Sequence, residues 1–202
     1  MANFHLAYNL VLDHEGGYQN NPNDSGNYNS LGQLVGTNWG ISAPVYESFL
    51  GYPPSKFDVQ NMSLNEAKAI YKERFWDDIL GDQIRDQQVA NIFFDGRVNH
   101  GRTGVKIMQR ILGVADDGVV GSLTLNEINY ANPRWLFESY QEERRDFYYW
   151  LVENNGSLQV FLNGWLNRID SFQYTGENAS IGIGSGLAVA AIMLGFWISR
   201  AH

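Results

Sequence analysis

The sequence contains no cysteine, and this absence removes several classes of site. A disulfide framework, a thiolate zinc site and a cysteine nucleophile all need that residue. Lysine and arginine total 14 against 22 acidic residues, which gives a net charge of −8 without a basic cluster. Such a chain is unsuited to nucleic acid as its main partner. Proline is scarce as well, with five residues against 21 glycines, which indicates many turns but no disordered tract.

The first residues, 1–17, lack the features of a secretory signal. They have no basic start, and Asp13, His14 and Glu15 interrupt the apolar run. We therefore expect that whatever delivers the protein to its place of action is not encoded in this segment.

Charge is absent from a second segment, residues 178–199, which is mostly apolar or small. About 20 apolar residues are needed to span the core of a bilayer. The pattern predicts a membrane-spanning helix at 179–199, with a buried C-terminal helix of the globular part as the alternative. Gly182 and Gly186 lie four residues apart, a spacing that predicts association with another membrane helix.

The rest of the chain has the apolar periodicity of helices, apart from residues 18–38, which are rich in Asn, Gly and Ser. That stretch predicts a long loop with a short hairpin. Two capping boxes are expected to start helices, one at Ser63 and Glu66 and one at Thr124 and Glu127. The predicted helices span residues 3–15, 42–50, 63–80, 86–99, 103–112, 133–152 and 157–171.

Two carboxyl groups near the start lie in contrasting settings. Glu15 continues the apolar face of the first predicted helix and lies at its C-terminus, and both features raise the expected pKa of a carboxyl group. Asp24 lies in a polar loop, where a carboxylate stays solvated and charged. Glycoside hydrolysis needs one carboxyl of each kind. Taken singly, Glu15 could be an ordinary helix end and Asp24 a turn-forming residue.

Three short motifs in this region carry a family resemblance: Glu-Gly-Gly-Tyr at 15–18, Asn-Asp-x-Gly at 23–26 and Thr-Asn-x-Gly-Ile-Ser at 37–42. They resemble the signature of the glycoside hydrolase family 108 N-acetylmuramidases, and the order Glu, Asp, Thr resembles the triad of phage-type lysozymes. The resemblance implies an inverting mechanism. Its acid would be Glu15 and its base Asp24, while Thr37 would help to hold the attacking water.

The chain departs from that pattern at two places in the loop. Ser25 stands where the family usually has proline, and residues 27–36 look like an insertion. Further along, residues 109–124 and 161–168 resemble the peptidoglycan-binding domain that completes this family. The resemblance covers about residues 3–170.

The resemblance implies a mainly α, lysozyme-like fold, of the α+β kind with a small loop or hairpin region, to which we add the C-terminal transmembrane helix. We expect four parts along the chain. They are a catalytic module at 1–100, a helical peptidoglycan-binding module at 101–173, a linker at 174–178 and the transmembrane helix at 179–199.

Several other side chains invite a functional assignment. We expect Tyr18 and Trp39, which lie in the active-site loops, to contact glycan, because aromatic rings can stack on sugar faces. Arg144 and Arg145 are expected on a solvated helix face. No pair of histidines has zinc-motif spacing, so we expect neither a metal nor another cofactor.

The predicted reaction is hydrolysis of the β-1,4 bond between N-acetylmuramic acid and N-acetylglucosamine. The predicted partners are peptidoglycan strands and a membrane, either of a virion or the bacterial inner membrane. One alternative is a lytic transglycosylase that uses Glu15 alone. Another is a non-catalytic, membrane-anchored wall-binding or virion structural protein. A phage lysis enzyme, a virion component and an injection-system effector all fit these features.

Overall fold

The computed structural model of the chain describes residues 1–12 and 17–176. In this part of the chain the fold is mainly helical, as the sequence predicts. A π-helical segment, Lys72–Trp76, continues the fourth helix, and short 3-10 turns lie at Ser25–Asn27, Gly81–Gln83 and Gly156–Leu158. The α-helices of the described residues are α1 (Phe4–Leu12), α2 (Ala43–Leu50), α3 (Lys56–Gln60), α4 (Leu64–Tyr71), α5 (Gln87–His100), α6 (Arg102–Leu112), α7 (Ser122–Tyr130), α8 (Pro133–Asn154) and α9 (Gln159–Asp170).

The expected fold class needs correction in its β component. The described residues contain no β-strand, and the predicted hairpin region holds isolated bridges instead. Some backbone amides of this region bond to side chains instead of to a neighbouring strand: those of Leu31 and Gln33 both donate to Asn29 Oδ1. The bridges pair Gln19 with Thr37, Tyr28 with Leu34 and Asn38 with Ile41.

The membrane anchor also needs correction, and with it the predicted location at a membrane. Within residues 1–12 and 17–176, no helix is long and apolar enough to cross a bilayer. The longest, α8, has 22 residues but carries charged side chains along its length, which are costly inside a membrane. The predicted segment at 179–199, with Gly182 and Gly186, lies outside the described residues, so the described fold gives it no support.

One hydrophobic core runs through both halves of the described chain, from Ala2 to Phe172. Its tightest point is the crossing of α5, α6 and α8. A Cβ atom on Gly96 would lie 2.0 Å from the hydroxyl oxygen of Tyr140, and one on Gly104 would lie 2.4 Å from the carbonyl oxygen of Gly96. The Tyr140 hydroxyl donates a hydrogen bond of 3.0 Å to the Gly104 carbonyl. The two glycines therefore allow the backbones of α5 and α6 to approach closely and leave room for the Tyr140 side chain of α8.

One of the two predicted capping boxes is present. At Ser63 and Glu66 both reciprocal hydrogen bonds form and α4 begins there, which confirms the prediction. The box at Thr124 is wrong, because α7 begins two residues earlier, at Ser122. Thr124 lies inside the first turn, and its hydroxyl accepts a 3.4 Å hydrogen bond from Gln109. The Thr124 hydroxyl is thus used in holding α6 against α7.

Candidate active site

The candidate site lies in the loop between α1 and α2. The structure describes this loop from Gly17 onward, so Asp24, Thr37, Tyr18 and Trp39 can be placed. Glu15 belongs to residues 13–16, which lie outside the described part of the chain, and its role stays a prediction.

The two ends of the loop are paired by their backbones. The Gln19 amide donates to the Thr37 carbonyl at 2.9 Å, and the Thr37 amide donates to the Gln19 carbonyl at 2.8 Å. This bridge places Gln19 beside Thr37, although 18 positions separate the two residues in the sequence. The intervening chain leaves and returns as one folded loop.

Asp24 is half-buried and caps the 3-10 turn of this loop. One carboxylate oxygen, Oδ1, accepts a 3.0 Å hydrogen bond from the Gly26 amide. The other, Oδ2, accepts a 3.2 Å hydrogen bond from Nε2 of Gln19. Each oxygen thus has one neutral donor, and each retains a lone pair for a further partner.

Asn27 connects this carboxylate to Thr37. Its side chain is completely buried, and its Oδ1 accepts from Thr37 Oγ1 at 2.5 Å and from Gln19 Nε2 at 3.0 Å. Its Nδ2 donates to Gln19 Oε1 at 3.0 Å and to the Asn21 carbonyl at 2.9 Å. We call Gln19, Asp24, Asn27 and Thr37 the amide network. It brings two of the predicted catalytic side chains into one hydrogen-bonded unit.

Sequence reasoning missed Gln19 and Asn27, because a glutamine and an asparagine in a polar loop carry no distinctive pattern. The one available signal was the position of Asn27 at the start of the apparent insertion. In the structure, residues 27–36 form a compact loop whose two ends are hydrogen-bonded to each other. The amides of Val35 and Gly36 donate to the Asn27 carbonyl at 2.8 and 2.9 Å. These two hydrogen bonds bring the end of the loop next to Asn27, directly before Thr37.

Tyr18 lies half-buried against the same loop. Its hydroxyl donates to the Val35 carbonyl at 3.1 Å, and burial raises the pKa of that hydroxyl. Gly36 has a φ of +95°, and a Cβ there would lie 2.5 Å from the Tyr18 ring. One side of the ring thus packs on the Gly36 backbone, so only its remaining surface is available to a ligand.

Trp39 is also half-buried and has an uncommon backbone conformation, with φ at +51°. Together with Gly40, whose φ is +72°, it forms the tight turn between Asn38 and Ile41. Its indole Nε1 donates to the Met62 carbonyl at 2.9 Å. Because the polar group of Trp39 is used internally, a contact with glycan would involve its ring surface alone.

The described residues offer little for a metal ion. Among residues 1–12 and 17–176, no group of three or more His, Asp and Glu side chains could hold one.

Comparison with known proteins identifies the family. Residues 8–101 match the model described as glycosyl hydrolase 108, and residues 103–170 match a model described as "Predicted Peptidoglycan domain".

Residues 8–101 of the chain form a glycosyl hydrolase 108 domain.

The chain is therefore a glycoside hydrolase of the muramidase type that acts on peptidoglycan, and its second matched segment supports binding to peptidoglycan. Neither matched family model bears on a phage, virion or injection-system context.

A solved structure is similar to the chain over most of its length. Twelve solved chains match, and one of them is described as the structure of Brucella abortus SagA. It is 27% identical to this chain with a TM-score of 0.71, and the match covers 84% of this chain and 90% of that one. No curated protein matches the chain.

A second polar cluster lies where the two family-matched segments pack together. Asp95 of α5 is fully buried, and its Oδ2 accepts from Arg144 Nη2 of α8 at 2.6 Å. Its Oδ1 accepts from Arg168 Nε of α9 at 2.8 Å. Arg144 Nε in turn donates to His100 Nε2 at 3.2 Å. We call Asp95, His100, Arg144 and Arg168 the ion cluster, and it ties the glycosyl hydrolase segment to the peptidoglycan segment.

The ion cluster corrects the expectation for Arg144. This side chain has no exposed surface, whereas the neighbouring Arg145 is partly exposed and pairs with Glu142 and Asp170. Burial alone would raise the pKa of Asp95, but Arg168 and Arg144 outweigh it and lower that pKa to about 2. Burial, followed by the charge of Arg144, lowers the pKa of His100 to about 3. Near neutral pH, Asp95 is therefore ionised and His100 is uncharged.

Proposed function

We propose that this enzyme hydrolyses the β-1,4 bond between N-acetylmuramic acid and N-acetylglucosamine, with inversion at the anomeric carbon. Glu15 is the general acid, Asp24 is the general base, and Thr37 holds the attacking water. We also propose residues 1–100 as the catalytic module and residues 101–173 as the peptidoglycan-binding module. The observation that carries the proposal is the amide network, which joins Asp24 to Thr37 through hydrogen bonds to Gln19 and Asn27.

Asp24 is suited to the role of base by its surroundings. It is half-buried rather than enclosed, and its two donors, Gly26 and Gln19, are uncharged. The other carboxylate of a polar cluster, Asp95, is unsuited to the role, because Arg168 and Arg144 hold its pKa at about 2 and it has no exposed surface.

Hydrolysis forms one bond at the anomeric carbon and breaks one. Water oxygen forms a bond to the anomeric carbon, and one of its protons passes to the Asp24 carboxylate. The bond from that carbon to the glycosidic oxygen breaks, and the oxygen takes the proton of Glu15. An inverting pair of carboxyl groups stands roughly 6.5–9.5 Å apart, which leaves room for the water. Tyr18 and Trp39 would contribute ring surface to the sugar, since their polar groups already bond to Val35 and Met62.

Two carboxyl variants test the proposal. We expect Glu15→Gln and Asp24→Asn each to lower kcat on purified peptidoglycan by about 10²–10⁴, the usual contribution of a general acid or base. Unfolding by urea should be nearly unchanged. Glu73→Gln, at an exposed carboxyl outside both the loop and the peptidoglycan-binding module, is the matched control and should retain full activity. Proton NMR of freshly cleaved ends should show the α anomer first.

Other outcomes would point elsewhere. Near-normal turnover by folded Asp24→Asn would show that Asp24 is not the base. Cleaved ends that first carry the β anomer would contradict inversion. If Asp24→Asn stays active and the wild-type product carries a 1,6-anhydro ring, the enzyme is a lytic transglycosylase. If wild-type protein binds peptidoglycan but releases no reducing ends, the assignment as a hydrolase fails.

A further inference from the structure

We infer that Asn27 is a positioning residue that fixes the direction of the Thr37 hydroxyl, so that Thr37 only accepts a hydrogen bond from the attacking water. This inference rests on the proposed function, because it assigns a further residue to the same site. It starts from the orientation of two side-chain amides, Asn27 and Gln19.

Backbone groups settle the orientation of both amides. The Asn21 carbonyl can only accept, so the group of Asn27 that lies 2.9 Å from it must be the Nδ2 donor. The Asn21 amide can only donate, so the group of Gln19 that lies 2.9 Å from it must be the Oε1 acceptor. Oδ1 of Asn27 therefore faces Thr37, and Nε2 of Gln19 faces Asp24.

This orientation fixes the hydroxyl of Thr37. A hydroxyl has one proton, and Thr37 must donate it to Asn27 Oδ1, which lies 2.5 Å from Thr37 Oγ1. Thr37 is almost fully buried and Asn27 completely so, which shields this bond from competing water. The lone pairs of Thr37 Oγ1 can then only accept from a further partner.

The fixed hydroxyl has a consequence for the water. A water between Thr37 and Asp24 meets acceptors on both sides, so it donates one proton to each of them. Its lone pairs then point away from both residues, where a lone pair can attack the anomeric carbon. If Thr37 could also donate, the water could rotate and direct a proton toward the sugar, and fewer orientations would be reactive. Asn27 thus selects the reactive orientation without touching the substrate.

Kinetics of single and double variants test this inference. We expect Thr37→Val and Asn27→Ala each to lower kcat by about tenfold, the effect of losing one hydrogen bond, with KM changed less. Thr37→Ser should stay near wild type. The double variant should be no slower than Thr37→Val alone, because both changes remove the same orientation of the water. Additive losses, or an Asn27→Ala enzyme with normal kcat, would overturn the inference.

Asn29→Ala is the matched control. Asn29 is a similarly buried asparagine of the same loop, but its Nδ2 donates to the Gln33 side chain and to the Pro54 carbonyl rather than to the amide network. This variant should lose stability and keep the kcat of the folded enzyme. An equal fall in kcat for Asn29→Ala and Asn27→Ala would assign the effect to loop stability and overturn the inference.

A measurement on wild-type protein covers the case in which Asn27→Ala does not fold. The Thr37 hydroxyl proton should exchange slowly enough to be seen by NMR, with a nuclear Overhauser effect to the Asn27 side-chain amide. A hydroxyl proton in fast exchange would overturn the inference whatever the variants do. The proposed function fails separately, through full activity of Asp24→Asn. An inactive Asp24→Asn enzyme together with a normal kcat for Asn27→Ala would contradict this inference but leave the proposed function intact.

Discussion

Asp24 and Asp95 are the carboxylates of the two polar clusters, and they are held in opposite ways. Asp24 is half-buried, and its hydrogen-bond donors are an amide side chain and a backbone amide. Asp95 is fully buried between Arg144 and Arg168. A carboxylate that must take a proton needs neutral donors and access to a ligand. One that joins helices needs opposite charges, because an unpaired buried charge is costly. On the proposed function, the amide network carries the chemistry, while the ion cluster joins the two family-matched segments.

The largest effect that tests this separation should come from Asp95→Asn. The change leaves Arg144 and Arg168 without the carboxylate between them, and breaking a buried ion pair typically costs about 3–5 kcal/mol. We expect the free energy of unfolding at pH 7, measured in urea, to fall by that amount. The kcat of the folded fraction should stay near wild type.

The control for Asp95→Asn is Asp146→Asn on the exposed face of α8, which should change stability by no more than about 0.5 kcal/mol. An Asp95→Asn enzyme that keeps its stability but loses kcat would contradict the distinction between Asp24 and Asp95, because the ion cluster would then take part in catalysis.

The positions of the helices could be predicted from the sequence, because their apolar periodicity reports burial directly. The predicted span 86–99 differs from α5 by one residue at each end, and the span 103–112 differs from α6 by one residue at its start. The five-residue α3 was missed, since it is too short for periodicity to detect, although its capping box at Ser55 and Asp58 was present in the sequence.

The partners of the polar side chains could not be predicted in the same way. Arg144 falls on the apolar stripe of α8, between Tyr140 and Tyr148, and that position signals a buried charge. The sequence does not say that its partner is Asp95, 49 residues away. Asn27 and Thr37 likewise meet only because the loop of residues 27–36 closes on itself. Long-range contacts of this kind depend on tertiary packing rather than on local pattern.

The free energy of unfolding should depend on pH through His100. His100 accepts a hydrogen bond from Arg144, and its pKa is lowered to about 3 from 6.5 by burial first and by Arg144 next. Below about pH 6.5 the unfolded chain binds a proton that folded His100 takes up only near pH 3. The contribution of His100 to the free energy of unfolding is therefore fully present above pH 6.5 and decreases as the pH falls toward 3. In that range unfolding takes up as much as about one proton.

His100→Gln tests this sign, because glutamine can still accept from Arg144 but does not titrate. We expect the variant to be less stable than wild type at pH 7, and the difference to narrow as the pH is lowered to about 4. Asn29→Ala is the control from the other region. It removes an amide that does not titrate, so its difference from wild type should stay constant. A constant difference for His100→Gln would mean that the folded protein accepts the proton as readily as the unfolded chain.

The smallest effect should come from Trp39→Phe, in the region of neutral hydrogen bonds. The change removes the indole donor from the Met62 carbonyl and retains an aromatic ring. We expect a loss of about 1 kcal/mol in the free energy of unfolding, as for one neutral hydrogen bond. If the ring surface is what meets the sugar, KM for a soluble glycan fragment should change less than about threefold. Trp39→Ala should raise KM further, and Trp135→Phe, at an exposed position of α8, should change neither quantity. Equal KM values for Trp39→Ala and wild type would show that Trp39 only shapes the loop.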